Sequence, residues 1–327
     1  MLKRFILRPL VVLLALFGLV AGALAVMIAQ PLVAPPPLES IRKGAQAMDW
    51  SGAPSPTYFT ARDGTQLAYR AYPARGANAG ATAILIHGSA GSSLNKHAVA
   101  VALAEAGIPA IALDMRGHGA SGTRGDVAYI GQSEDDLADL LEKLALPEKP
   151  ILIGHSMGGG FALRVARGPL AEKFSRYVLV SPFLGVDAPT TRPANGGARW
   201  TEVDRPRIVA LPILHRCGVD CCGSLPVIAF ALPPEIARYV TTRYSFRLLS
   251  SFGPKDMRYR DLSDVKSPVE IVAGAEDELM VAKKYAAVAR TGANVRVTII
   301  PGVDHMGAAR DPAALAAIVA AAKGETK

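Results

Sequence analysis

Residues 151–160 read ILIGHSMGGG, an apolar run that ends in a serine set between glycines. The spacing Gly154, Ser156, Gly158 is the G-x-S-x-G pattern, in which a strand turns sharply into a helix and leaves the serine hydroxyl exposed at the tip. A solvated serine in a Gly-rich loop would show the same five residues, so the surroundings have to decide. A serine hydroxyl is a weak nucleophile until a base takes its proton and a third group orients that base. Six histidines are available, at 87, 97, 118, 155, 215 and 305. His155 adjoins the serine, but on a strand its side chain points to the opposite face, which is a structural place. His305 lies in PGVDHMG, just past the last apolar strand, and Asp277 lies in GAEDELM, at the end of the strand before it. Ser156, Asp277 and His305 would then be nucleophile, acid and base in that chain order, with Glu276, Glu278 and Asp304 competing for the acid role. Acyl transfer also needs N–H donors for the oxygen that becomes negative. The spacing offers two, the N–H of Met157 at the start of a helix and that of Ser89 in HGSAGSS.

Such a site requires strands whose carboxyl ends gather, and the chain from Thr57 onward supplies them. TYFTARDGTQLAYRAY reads as a hairpin turning at Asp63-Gly64. ATAILIH (81–87) is a continuous apolar run of the kind buried on both sheet faces, and PAIALD (109–114), PILIGH (150–155), YVLVSP (177–182), PVEIVAG (268–274) and VRVTII (295–300) read as further short strands. Helical patterns lie between them, near 95–106, 134–146, 157–167, 281–291 and 311–323. Alternating strand and helix predict a mostly parallel sheet covered on both faces. The rhythm fails over 183–266, which carries Pro189, Pro193, Pro206, Pro212, Pro226, Pro233, Pro234 and Pro254 with helical pieces such as PPEIARYVTTRYSFRLL. That stretch reads as a helical cap over one end of the sheet, splitting the core into 57–182 and 267–327.

The N-terminus is different. Lys3, Arg4 and Arg8 precede an uncharged apolar run from Leu10 to Ala29. A helix of that length rises roughly 30 Å, the thickness of the bilayer's hydrocarbon core. Residues 1–29 are therefore a signal anchor or a signal peptide. The length of the run favours the anchor, and Ala23-Leu24-Ala25 is the cleavage site in the other case. Either fate keeps the basic residues cytoplasmic and exports the rest, leaving the domain membrane-anchored or secreted. Residues 30–56, rich in proline from Pro31 to Pro56, read as an extended spacer unable to pack. The formal net charge of +8 is dispersed and not interleaved with aromatics, so it suggests contact with anionic head groups rather than nucleic acid. Cys217, Cys221 and Cys222 crowd into CGVDCC. The odd count implies one local disulfide and a spare thiol, or three free thiols; a metal site would need a fourth ligand, for which His215 is nearby.

HGSAGSS, DMRGHGAS, YIGQSEDDLADLL, IGHSMGGG, VSPFLG, PVEIVAGAEDELM and PGVDHMG occur in the order seen in α/β-hydrolases of the monoacylglycerol lipase, lysophospholipase and serine-aminopeptidase branch, which the chain from about Thr57 to Lys323 resembles. The resemblance implies an α/β-hydrolase fold and cleavage of an ester or amide through an acyl-enzyme, without metal or organic cofactor. In relatives the DMRGHGAS loop is structural, so His118 receives no catalytic role. The cap, which decides the substrate in this family, departs from familiar patterns at CGVDCC. A small or medium carboxylic ester, lipid-like in character, is the expected substrate; an aminopeptidase or an acyltransferase would use the same triad. A non-catalytic binding module at the membrane is the reading from another class, and oligomeric state is not legible.

Overall fold

The computed structural model describes residues 2–76, 80–193, 199–219, 221–237 and 239–325, with side chains from Leu10 onward except that of Ala45. The chain begins with helix α1 (Leu2–Ala29) and the short α2 (Glu39–Gln46). Strands β1 (Thr57–Thr60) and β2 (Gln66–Tyr72) follow, and then β3 (Ala83–Ile86), α3 (His97–Glu105), β4 (Ala110–Leu113), α4 (Gln132–Leu144), β5 (Ile151–His155), α5 (Met157–Ala166) and β6 (Arg176–Val180). The insertion holds β7 (Thr201–Val203), α6 (Arg205–Arg216), β8 (Pro226–Phe230), α7 (Pro234–Ala237), β9 (Arg243–Ser245) and α8 (Phe246–Ser251). The core resumes with β10 (Val269–Gly274), α9 (Tyr285–Ala289), β11 (Val295–Ile300) and α10 (Pro312–Lys323).

The central sheet runs in the order β1-β2-β4-β3-β5-β6-β10-β11. Its first two strands form the antiparallel hairpin, and the pairings from β4 through β11 are parallel. The middle strands are buried along their whole length because both faces are covered. One face packs Leu152, Tyr177 and Ile271 against Phe161 of α5 and Leu137 and Leu140 of α4. The other packs Leu85, Ile153 and Val272 against Leu103 of α3 and Ile318 of α10. Helix α10 is tightly delimited: Asp311 caps the N–H groups of Ala313 and Ala314, Pro312 opens the first turn, and Gly324 closes it at φ 76°. In DMRGHGAS, Arg116 is buried and paired with Asp136 (2.7 Å) and Asp63 (2.9 Å), locking the loop to α4 and to the hairpin turn. The Asp63 carboxyl is pushed down to about 2 because the Arg116 hydrogen bond, with those from Thr65, outweighs its burial.

Two expectations change. The cap is not purely helical: β7, β8 and β9 form a three-stranded antiparallel sheet. PVIAF is an apolar β-branched run, and a leading proline is tolerated at the first residue of a strand; the helical periodicity of its neighbours hid it. Residues 30–56 are also not a free spacer. Leu32 and Ile41 are buried, the Leu38 N–H donates to Ala231 O in the cap at 3.1 Å, and a Cβ at Gly44 would lie 2.7 Å from Met306 Cγ. Proline favours extended backbone but leaves the apolar side chains beside it free to pack.

Helix α1 exposes Leu10–Ala29, of mean hydropathy 2.9, and is long and apolar enough to cross a membrane. Its end is held by Arg207 of α6, whose guanidinium donates to Ile28 O (2.9 Å), Gln30 O (2.5 Å) and Pro226 O (2.7 Å). The first two are carbonyls that a helix terminus leaves without intrahelical donors and the third opens β8, so one cap residue joins the N-terminal helix to β8.

Candidate active site

The turn between β5 and α5 places Ser156 at φ 54°, ψ −118°, a region that non-glycine residues adopt only when the surroundings over-determine it. Glycine at 154 and 158 makes the turn possible. A Cβ at Gly154 would stand 2.1 Å from Gly158 O, and one at Gly158 would stand 2.3 Å from His87 O. Gly154→Ala is therefore expected to destabilise the domain by about 3 kcal/mol, the upper end for an extra methyl in a packed interior, read as a lowered urea midpoint. The small residues that flank the serine exist for backbone approach, and the hydroxyl they present is only slightly exposed.

Asp277 follows β10 and His305 follows β11, so both reach the carboxyl edge of the sheet, where β5 delivers Ser156. The His305 Nδ1–H donates to Asp277 Oδ2 at 2.8 Å, with both side chains essentially inaccessible. The other Asp277 oxygen accepts the N–H groups of Leu279 (2.9 Å) and Met280 (2.7 Å). Burial by itself would raise the Asp277 carboxyl, but the charge and hydrogen bond of His305 hold it below the ordinary carboxylate range. Burial likewise would lower His305; the Asp277 charge and hydrogen bond, with Glu278 behind, carry it above 6.5. The two directions agree, as a stabilised pair demands. Ser156 Oγ makes no hydrogen bond among the described residues. In ligand-free sites such contacts are often long and close only around substrate.

Of the competitors for the acid role, Glu276 is exposed and the other two are engaged elsewhere. Glu278 Oε2 accepts the His305 backbone N–H at 3.0 Å, and Asp304 Oδ1 accepts the Gly307 N–H at 2.5 Å. His155, buried, donates from Nε2 to His305 O at 3.1 Å, and the two imidazole centroids are 5.0 Å apart. Glu278 and His155 thus fix the backbone of His305 from both sides. Sequence reasoning gave His155 a structural place and kept Glu278 as a competing acid, since adjacency to a candidate site residue does not reveal which backbone group a side chain will meet.

The HGSAGSS loop lies against the β5–α5 turn, with a Cβ at Gly88 falling 3.2 Å from Ser156 Cβ. His87 Nδ1–H donates to Gly88 O (2.7 Å) while its Nε2 accepts from the Met115 N–H (3.2 Å), which makes this buried ring neutral and structural. Ser89 is half-buried and Met157 opens α5. Neither N–H has a protein acceptor among the described residues. His118 turns away from the serine, bonded to Arg116 O and to Tyr244 of the cap. Cys217, Cys221 and Cys222 are free thiols beyond the end of α6, with the sulfurs of the last two 3.2 Å apart.

A parallel sheet with an antiparallel leading hairpin, a strained serine at the β5–α5 turn, an acid after the next-to-last strand and a histidine after the last give this chain the α/β-hydrolase fold. The family model described as serine aminopeptidase, S33, matches residues 77–217. The 2-(acetamidomethylene)succinate hydrolase of Mesorhizobium japonicum is 28% identical over 211 residues, 60% of this chain and 71% of that protein. Among solved structures, a monoacylglycerol lipase of Paleococcus ferrophilus aligns with TM-score 0.58 at 20% identity, covering 80% of this chain and 99% of the other. A membrane phospholipase A described as a bacterial virulence factor aligns with TM-score 0.56 at 16% identity and covers 98% of both chains. At these identities the structural likeness speaks to fold.

Proposed function

We propose that the protein hydrolyses a carboxylic ester through an acyl-enzyme on Ser156. His305 removes the serine proton as Oγ attacks the carbonyl, and then gives that proton to the leaving alcohol. Asp277 holds the imidazole in the tautomer that leaves Nε2 toward the serine and stabilises the imidazolium. The N–H groups of Ser89 and Met157 receive the developing oxyanion. Water, activated by the same histidine, releases the acid and restores the serine. The observation that carries this reading is the buried 2.8 Å pair of His305 with Asp277 at the sheet edge where Ser156 sits in its strained turn.

The substrate we favour is lipid-like and the protein membrane-anchored, with the catalytic domain on the exported side. Support comes from the apolar exposed α1, tied to the cap through Arg207, and from the membrane phospholipase A that aligns over the N-terminal helix as well as the core. The cap is enclosed by residues 183–266, between the core segments 57–182 and 267–327. Initial rates of the full chain in detergent against p-nitrophenyl esters of graded chain length, with amino-acid p-nitroanilides alongside, test the proposal. A Ser156-dependent optimum among the esters is expected. Cleavage of the anilides alone would replace it with an aminopeptidase, the activity for which the matching family model is named.

A further inference from the structure

The loop that carries Ser89 is held from the cap as well as from the core. Ala90, almost fully buried, adopts φ 62°, a left-handed conformation that an alanine holds only under constraint. Its N–H donates to the hydroxyl oxygen of Tyr244 at 2.8 Å, and its carbonyl accepts the Thr241 N–H at 3.2 Å. One residue earlier, Ser89 Oγ accepts the Trp200 Nε1–H at 2.9 Å. Tyr244, Thr241 and Trp200 all belong to the insertion.

The Tyr244 hydroxyl lies in a fully satisfied chain. His118 Nδ1 faces Arg116 O at 3.2 Å and so carries the ring proton, which leaves Nε2 to accept the Tyr244 O–H at 2.7 Å. Burial keeps His118 neutral, as that arrangement requires. Trp200 and Tyr244 are also linked by packing, because Phe230 of β8 lies between them, tilted against Trp200 and edge-on to Tyr244, with centroid separations of 5.3 and 4.8 Å.

We infer that Tyr244 is a positioning residue for the oxyanion hole: the cap, through Tyr244 with Thr241 and Trp200, holds Ala90 left-handed and thereby aims the Ser89 N–H. The cap then sets the rate of the chemical step in addition to choosing the substrate. This rests on the acyl-enzyme reading given above. Without its partners Ala90 relaxes toward negative φ, and the rotation swings the peptide units on its N-terminal side, where Ser89 lies, against a loop whose other end is fixed by Asn95 on the Ser92 N–H.

Tyr244→Phe in the full chain tests it, since the ring packing is kept and one hydroxyl is lost. Active sites are titrated with a fluorophosphonate so that kcat is counted per competent site. The expected result is a fall in kcat of about tenfold or more with KM within about twofold, the pattern of an interaction made in the transition state. Affinity for an alkylboronic acid, whose tetrahedral serine adduct puts an oxygen into the hole, falls by the same factor. Trp200→Phe, at a half-buried position, shows the same pattern at smaller amplitude and serves if Tyr244→Phe does not fold. Unchanged kcat per titrated site with unchanged boronate affinity overturns the inference, as does a loss confined to the number of competent sites. If the wild-type protein neither titrates nor binds the boronate, the serine-hydrolase reading itself fails and this inference goes with it.

Discussion

Ser156→Ala is expected to lower kcat on any ester substrate by about 10⁴-fold to 10⁶-fold, leaving only what the oxyanion donors and binding contribute over water. No other hydroxyl occupies the tip of the β5–α5 turn. The substitution removes a single oxygen that makes no hydrogen bond among the described residues, and alanine inherits the backbone already imposed by Gly154 and Gly158. The thermal midpoint should therefore stay within about 2 °C of wild type, the shift given by less than 1 kcal/mol in a domain of this size. Steady-state kinetics beside a thermal melt separate the two quantities, and ester turnover near the wild-type level would refute the assignment of the nucleophile.

Asp277→Asn should cost about 10⁴-fold in kcat, because an amide at this position favours the wrong imidazole tautomer and cannot stabilise imidazolium. Its second signature is in pH dependence. His305 must be neutral to act as base, and its pKa stands above 6.5, so the acid limb of kcat/KM should lie above pH 6.5 in the wild type. Removal of the Asp277 charge leaves burial and the opposing charge of Lys96 to lower the imidazole, against Glu278 alone, and the limb should move to lower pH. The same pair has a stability consequence. A pKa raised on folding contributes stability that is full below the unfolded value of about 6.5 and fades as pH rises through the folded value. The wild-type minus Asp277→Asn difference in urea midpoint should accordingly be larger near pH 6 than near pH 9. A limb that does not move would transfer the acid role to Glu278.

Much of this was legible in local sequence. The middle strands of the central sheet follow from short apolar runs buried along their whole length, and the placement of Ser156, Asp277 and His305 at strand ends follows from the alternation of such runs with helical patterns. The Asp63–Gly64 hairpin turn is equally local: Gly64 takes φ 84°, as that dipeptide signals. The cap was read as helical because its periodic pieces outnumber PVIAF, yet that run pairs on both sides with segments distant in sequence. The prolines of 30–56 suggested an extended spacer, but the segment contains α2 and meets Ala231 of the insertion and Met306 next to His305, contacts that no local pattern announces.

The sequence by itself determined the order in which Ser156, Asp277 and His305 follow the ends of their strands and the alternation that builds the sheet, because turn sterics and hydrophobic periodicity act over a few neighbouring positions. Only the tertiary structure decided that Asp277, rather than Glu278 or Asp304, meets His305 Nδ1, that His155 and Glu278 pin the backbone of His305, and that Tyr244 reaches Ala90 across the cap boundary. Those outcomes depend on hydrogen-bond geometry between segments far apart in the chain. A shift of about an ångström there changes which oxygen a proton finds.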